Sequence, residues 1–142
     1  MVVALLSLSS NVWGAETTYT FTDKSWADAT SSWTSGKAGN GYTSGQGVQI
    51  TSGVTGANAT TKSSFTNVSK IVVNYCTNAS KGKGTIKVKV GSGTEKSYSV
   101  SAPSSGGTTL RNTDAFTFSS PETGKITITV ECGTNSIYIN SS

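Results

Sequence analysis

Apolar and polar side chains alternate with a period of two from residue 17 onward, and no segment carries the 3.6-residue period of an amphipathic helix. Thr18-Tyr-Thr-Phe-Thr22 puts Tyr19 and Phe21 on one face, and Gly47-Val-Gln-Ile-Thr51 does the same with Val48 and Ile50. Lys70-Ile-Val-Val-Asn-Tyr-Cys-Thr77 is the most apolar run and is predicted to be a central strand. Thr85-Ile-Lys-Val-Lys-Val90 turns Ile86, Val88 and Val90 inward and Lys87 and Lys89 outward. Tyr98 with Val100, Phe116 with Phe118, the trio Ile126, Ile128 and Val130, and Ile137 with Ile139 complete the series. Thr and Ser fill the intervening positions, as the wet face of a half-buried antiparallel sheet requires. Gly91-Ser-Gly93, Ser120-Pro-Glu-Thr-Gly124 and Cys132-Gly-Thr-Asn-Ser136 read as turns, and residues 23–46 as one long connection crossing an end of the fold. Eight strands with one apolar face each must pack as two layers. The chain is therefore predicted to be all-β, a two-sheet antiparallel β-sandwich, with a jelly roll as the first choice of topology.

Composition sharpens this picture. Ser and Thr make up 47 of the 142 residues, charged residues only 13%, and Pro only two positions, which argues against a disordered chain. Val2 to Leu8 form a short apolar run, and no ionisable side chain precedes Glu16. Residues 1–15 read as a secretory signal peptide, too short to span a bilayer, followed by one domain over residues 16–142 that ends close after an alternating strand and is open to being a fragment at its C-terminus. A secreted, periplasmic or cell-surface location follows, with no membrane insertion after cleavage.

In an exported chain, Cys76 and Cys132 are a candidate disulfide, which would contribute about 3–4 kcal/mol in the chain-entropy description. Their spacing of 56 positions also suits an immunoglobulin-like sandwich. No tryptophan lies between them, however, and Val130 stands where that fold has its corner tyrosine, so this topology ranks second. Facing is a difficulty for the bridge, because alternation puts Cys132 inward with Val130 but Cys76 opposite in phase to Val73 and Tyr75. Two separate small core thiols are the alternative.

The chain has no histidine, which removes every Ser-His-Asp, Cys-His and His-ligated metal site. Its seven carboxylates form no motif for glycoside hydrolysis. Asp23 and Asp28 lack the alternating acidic run of a calcium loop. The expectation is a non-enzyme with no cofactor and no metal. Lys81, Lys83, Lys87, Lys89 and Lys96 against Glu95 account for the whole net charge of +4. Without interleaved aromatics they do not suggest nucleic-acid binding, and lysines on a wet strand face discourage edge aggregation.

Trp26, Trp33 and Tyr42 stand out in an otherwise small and polar stretch. Such aromatics on loops either form a platform for sugar rings or plug the end of the sandwich. Asn40, Gln46 and Gln49 are the nearby amides that would orient a ligand on a platform.

Tyr19-Thr-Phe21, Trp33-Thr-Ser-Gly36, Gly41 to Ile50, Val68 to Tyr75, Gly84 to Gly91 and Asn135 to Asn140 together resemble the small secreted sandwich domains of gut Bacteroidota. That resemblance implies a jelly-roll, carbohydrate-binding-module-like domain accompanying others in an exported or surface protein. The expected function is a non-catalytic glycan-binding module. The alternative is a structural or adhesive sandwich unit of a larger assembly, whose partners are other domains of the same protein and which takes no small ligand.

Overall fold

The computed structural model describes residues 16–77, 82–101 and 112–140, and these are all β with no helix. The expected signal segment, residues 1–15, lies outside the described residues, as does Lys81. Ten strands follow one another: β1 (Trp33–Lys37), β2 (Gly41–Thr43), β3 (Gly47–Ile50), β4 (Ala57–Thr61), β5 (Phe65–Thr77), β6 (Lys83–Val90), β7 (Lys96–Ser101), β8 (Asn112–Gly124), β9 (Ile126–Thr134) and β10 (Ile137–Asn140). They form two five-stranded sheets, β1-β4-β9-β6-β7 and β2-β3-β10-β5-β8, and every pairing is antiparallel. The links β2–β3 and β6–β7 join neighbours within one sheet, and every other link carries the chain to the opposite sheet.

The expected two-layer sandwich is what the chain forms. On β9, Ile126, Ile128, Val130 and Cys132 are buried, while Thr127, Thr129 and Glu131 between them stay partly wet. On β6, Ile86, Val88 and Val90 point the same way as the buried positions of β9. The opposing sheet supplies Ile71, Val73 and Tyr75 from β5, Val48 and Ile50 from β3, and Ile137 and Ile139 from β10. Each of these side chains contributes about 1.5–3 kcal/mol through its removal from water.

At the start of β6 the two sheets come close. A Cβ on Gly84 would fall 2.5 Å from Ile137 Cδ1 and onto the Glu131 carbonyl, so only glycine fits there.

Several sequence expectations are corrected. The long connection over residues 23–46 contains β1 and β2, and β4 was not foreseen either. β1 and β2 are short and polar, and strands at a sheet edge need few apolar side chains to pair. β4 does alternate, but its inward residues are Ala57, Ala59 and Thr61, too small to signal burial. Thr18–Thr22 does not make a full strand, and Phe21 forms only an isolated bridge with Asp28. Ser120–Gly124 is not a turn but the bulged end of β8, where Pro121 is tolerated because β8 is an edge strand. Tyr98, expected inside, is 43% exposed at the rim.

The candidate disulfide is absent: Cys76 and Cys132 are not bonded to each other. Because Ile71, Val73 and Tyr75 face the core, Cys76 faces the far side of its sheet, opposite Tyr138 of β10, whereas Cys132 points into the core from the other sheet. Their Cβ vectors cannot meet.

Replacing Ile128 by Ala is expected to cost about 2–5 kcal/mol in urea denaturation, as for other buried large-to-small changes. Thr129→Ala, one residue on but facing solvent, should stay within about 0.5 kcal/mol of the parent.

Candidate functional site

Trp26 and Trp33, two of the three aromatics that the sequence offers as a platform, occupy one end of the sandwich, and two short turns built on aspartates put them there. The Asp23 carboxylate accepts hydrogen bonds from the Lys24 N–H at 2.7 Å and the Ser25 hydroxyl at 2.8 Å. These bonds hold its pKa below the ordinary carboxylate value, the Ser25 hydroxyl contributing most. The turn closes with Trp26 N–H donating to the Asp23 carbonyl at 3.1 Å and leaves Trp26 at a φ of 63°. A left-handed backbone is unfavourable for a bulky residue by about 1–2 kcal/mol. Burial of the indole and its Nε1–H bond to the Lys37 carbonyl at 2.9 Å offset that strain. Five residues after Asp23, Asp28 accepts the Ser32 N–H at 2.7 Å and the Thr30 hydroxyl at 2.5 Å, which delivers the chain to Trp33 at the start of β1.

The result is a cluster, not a platform. Phe21 meets Trp26 edge-to-face at 5.1 Å and Trp33 at 5.3 Å, and Tyr19 meets Trp33 at 5.6 Å and Phe65 at 6.4 Å. Trp26 is fully buried and Trp33 is 5% exposed. A sugar ring cannot reach either indole face. Trp33 Nε1 is buried without a hydrogen-bond partner among the described residues, so its ring serves the fold as apolar volume. Tyr42 stands apart on the edge strand β2, opposite Val48, and is 36% exposed.

Asn40 and Gln49 are likewise engaged within the fold through their side-chain amides, and Gln46 through its backbone N–H. Asn40 Oδ1 accepts the Thr51 N–H at 3.2 Å, and Gln49 Nε2 donates to Ser136 Oγ at 3.2 Å. Gln49 and Thr43 also hydrogen-bond the Tyr138 phenol, whose pKa is raised, chiefly by burial. Gln46 closes the β2–β3 hairpin through its N–H to the Thr43 carbonyl at 2.9 Å. Asp23 and Asp28 are turn staples, and no group of three or more potential metal ligands occurs among the described residues.

A regular polar surface is the outward face of the β1-β4-β9-β6-β7 sheet, which the sequence indicates only as a wet face. The register aligns Thr34, Thr60, Thr127 and Lys89 in one row across four strands. Asn58, Thr129, Lys87 and Ser97 form the next row, and Glu131, Thr85 and Ser99 a third. Thr60 and Thr127 share a hydroxyl–hydroxyl bond at 2.9 Å. Lys87 Nζ lies 3.0 Å from Glu131 and 3.9 Å from Glu95, and its pKa is raised, first by the hydrogen bond to Glu131. Such a face offers hydroxyls, one amide and ammonium groups on a rigid frame, with no group activated for covalent chemistry.

No protein-family model matches the chain, and neither the curated proteins nor the solved structures contain a significant match.

Trp33→Ala is expected to cost about 3–5 kcal/mol of stability, since it opens a cavity in the aromatic cluster. Trp33→Phe should cost much less, because the indole N–H has no bond to lose; chemical denaturation of both variants checks this.

Alkali should also destabilise the protein. Burial raises the pKa of the Cys132 thiol above its ordinary 9.0 and those of the Tyr19 and Tyr138 phenols above 10.0. Stability linked to groups held protonated in this way is complete below the unfolded-state values and is lost as pH rises through the folded ones. The denaturation midpoint is therefore expected to be flat up to pH 9.0 with respect to these groups and to fall progressively past 10.0.

Proposed function

We propose that this chain is a non-catalytic β-sandwich unit that lends structure or adhesion to a larger exported or surface assembly, with other domains of the same protein as its partners. One observation carries the reading: Trp26 and Trp33, the side chains that a sugar-stacking site would need, are committed to closing the end of the core. What the domain presents outward is a hydroxyl-rich sheet face and its strand edges. We further infer jelly-roll connectivity, supported by the succession of links that cross from one sheet to the other. Export is supported by the apolar run Val2 to Leu8. The likeness to Bacteroidota exported modules belongs to the same proposal.

A second reading keeps glycan binding but moves it. The three rows of hydroxyl, amide and lysine groups suit polar contacts to a flat oligosaccharide, with Tyr42 as an exposed ring at the edge of the other sheet. Stacking on a lone, half-exposed tyrosine gives this reading less support than assembly.

A glycan array separates the two. Under the assembly reading the full chain stays at background. A hit that disappears in Tyr42→Ala or Lys87→Ala, with an unchanged thermal midpoint, would transfer the function to the second reading.

A further inference from the structure

A sheet with two free edges invites another strand to pair with it, and proteins block such edges with short strands, bulges, proline or charge. Four edges exist here: β1 and β7 in one sheet, β2 and β8 in the other. Three are blocked. β2 has only three residues. β1 shifts register between Ser35 and Lys37. β8 shifts register twice against β5 and carries Pro121 within its irregular stretch.

β7 has none of these guards. It pairs with β6 in unbroken register from Lys96↔Val88 to Ser101↔Lys83 and contains neither proline nor a register shift. Its only charged residue is Lys96, at the first position, and that ammonium lies 5.2 Å from the centre of the Phe118 ring on the opposite sheet, directed away from the edge. Ser97, Tyr98 and Ser99 are all exposed, and Tyr98 is one of the two large apolar side chains exposed among the described residues. Alternate residues of β7 therefore direct backbone N–H and C=O groups outward, with no strand among the described residues to pair them.

We propose that β7 is a self-association edge, through which a second copy of this chain adds its own β7 antiparallel about a two-fold axis at Ser99 and joins two five-stranded sheets into one of ten strands. The self-complementarity is readable in the strand. A two-fold register at Ser99 sets Tyr98 of each copy opposite Val100 of the other, on the same face. Aromatic with β-branched is a favoured cross-strand pair. It also keeps each Lys96 at the outer limit of the ladder, away from its symmetry mate. The two-fold operation is the commonest one for soluble homo-oligomers. This inference rests on the reading of the chain as an assembly unit.

Sedimentation equilibrium of the full chain over a concentration series tests it, together with Ser99→Lys, Ser99→Asp, an equimolar mixture of the two, and Thr34→Lys on the guarded edge β1. The parent is expected to dimerise reversibly. Each Ser99 variant sets like charges opposite each other at the axis and should weaken the dimer at least about tenfold. The mixture sets unlike charges opposite each other and should restore it, which also excludes misfolding as the cause of the loss. Thr34→Lys should behave as the parent, and the amides of Ser97–Ser101 should gain hydrogen-exchange protection as concentration rises. A parent that stays monomeric throughout overturns the proposal. So does a dimer indifferent to both Ser99 variants; in that case the assembly reading stands through another surface. A glycan hit of the kind described above would remove the assembly reading itself.

Discussion

Two sheets, each apolar on one face, can leave water only by lying against each other, and this requirement governs the rest of the molecule. β9 and β6 on one side and β5, β3 and β10 on the other supply the matching faces, with isoleucine and valine at alternate positions. A one-residue slip in any of these strands would expose its apolar set and bury its threonines. Register is therefore set by the core, and the polar rows on the outward face are its by-product: Thr127, Thr129 and Glu131 line up with Lys89, Lys87 and Thr85 because Ile126, Ile128 and Val130 must line up with Val90, Val88 and Ile86.

A sandwich also has open ends, and one of them explains the most conspicuous part of the sequence. The stretch around residues 19–33 is poor in aliphatic residues yet holds two tryptophans, because a few large rings close the gap that the strands leave at that end. Two aspartate-anchored turns bend the chain so that both indoles point inward. In composition, such a segment is indistinguishable from a ligand-binding loop. The two differ only in which way the rings face, and the direction comes from hydrogen bonds such as Asp23 to Ser25 and Trp26 to Lys37.

Edges complete the picture. With the core sealed and two of the aromatics enclosed, the described residues still present a polar sheet face and the outer strands to other molecules. The treatment of those strands is uneven: β1, β2 and β8 are interrupted or short, while β7 is regular and its lysine is held over Phe118. That asymmetry fits the proposed role of an assembly unit.

The sequence by itself determined the class of fold, the two-layer arrangement and the inward residues of the central strands, because a period of two with β-branched residues has no other way to bury its apolar face. It also excluded histidine chemistry outright. Tertiary structure decided what local pattern does not encode. Polar edge strands such as β1 and β2 exist because a neighbour offers backbone partners, and the alanines of β4 reveal their burial only once β4 pairs beside β9 in the sheet. Cys76 and Cys132 do not bond to each other because alternation turns them to different sides of their sheets. Trp26, Trp33 and Tyr42 part company, two in the core and one at the rim, because whether a ring is wet depends on what packs over it from residues distant in the chain.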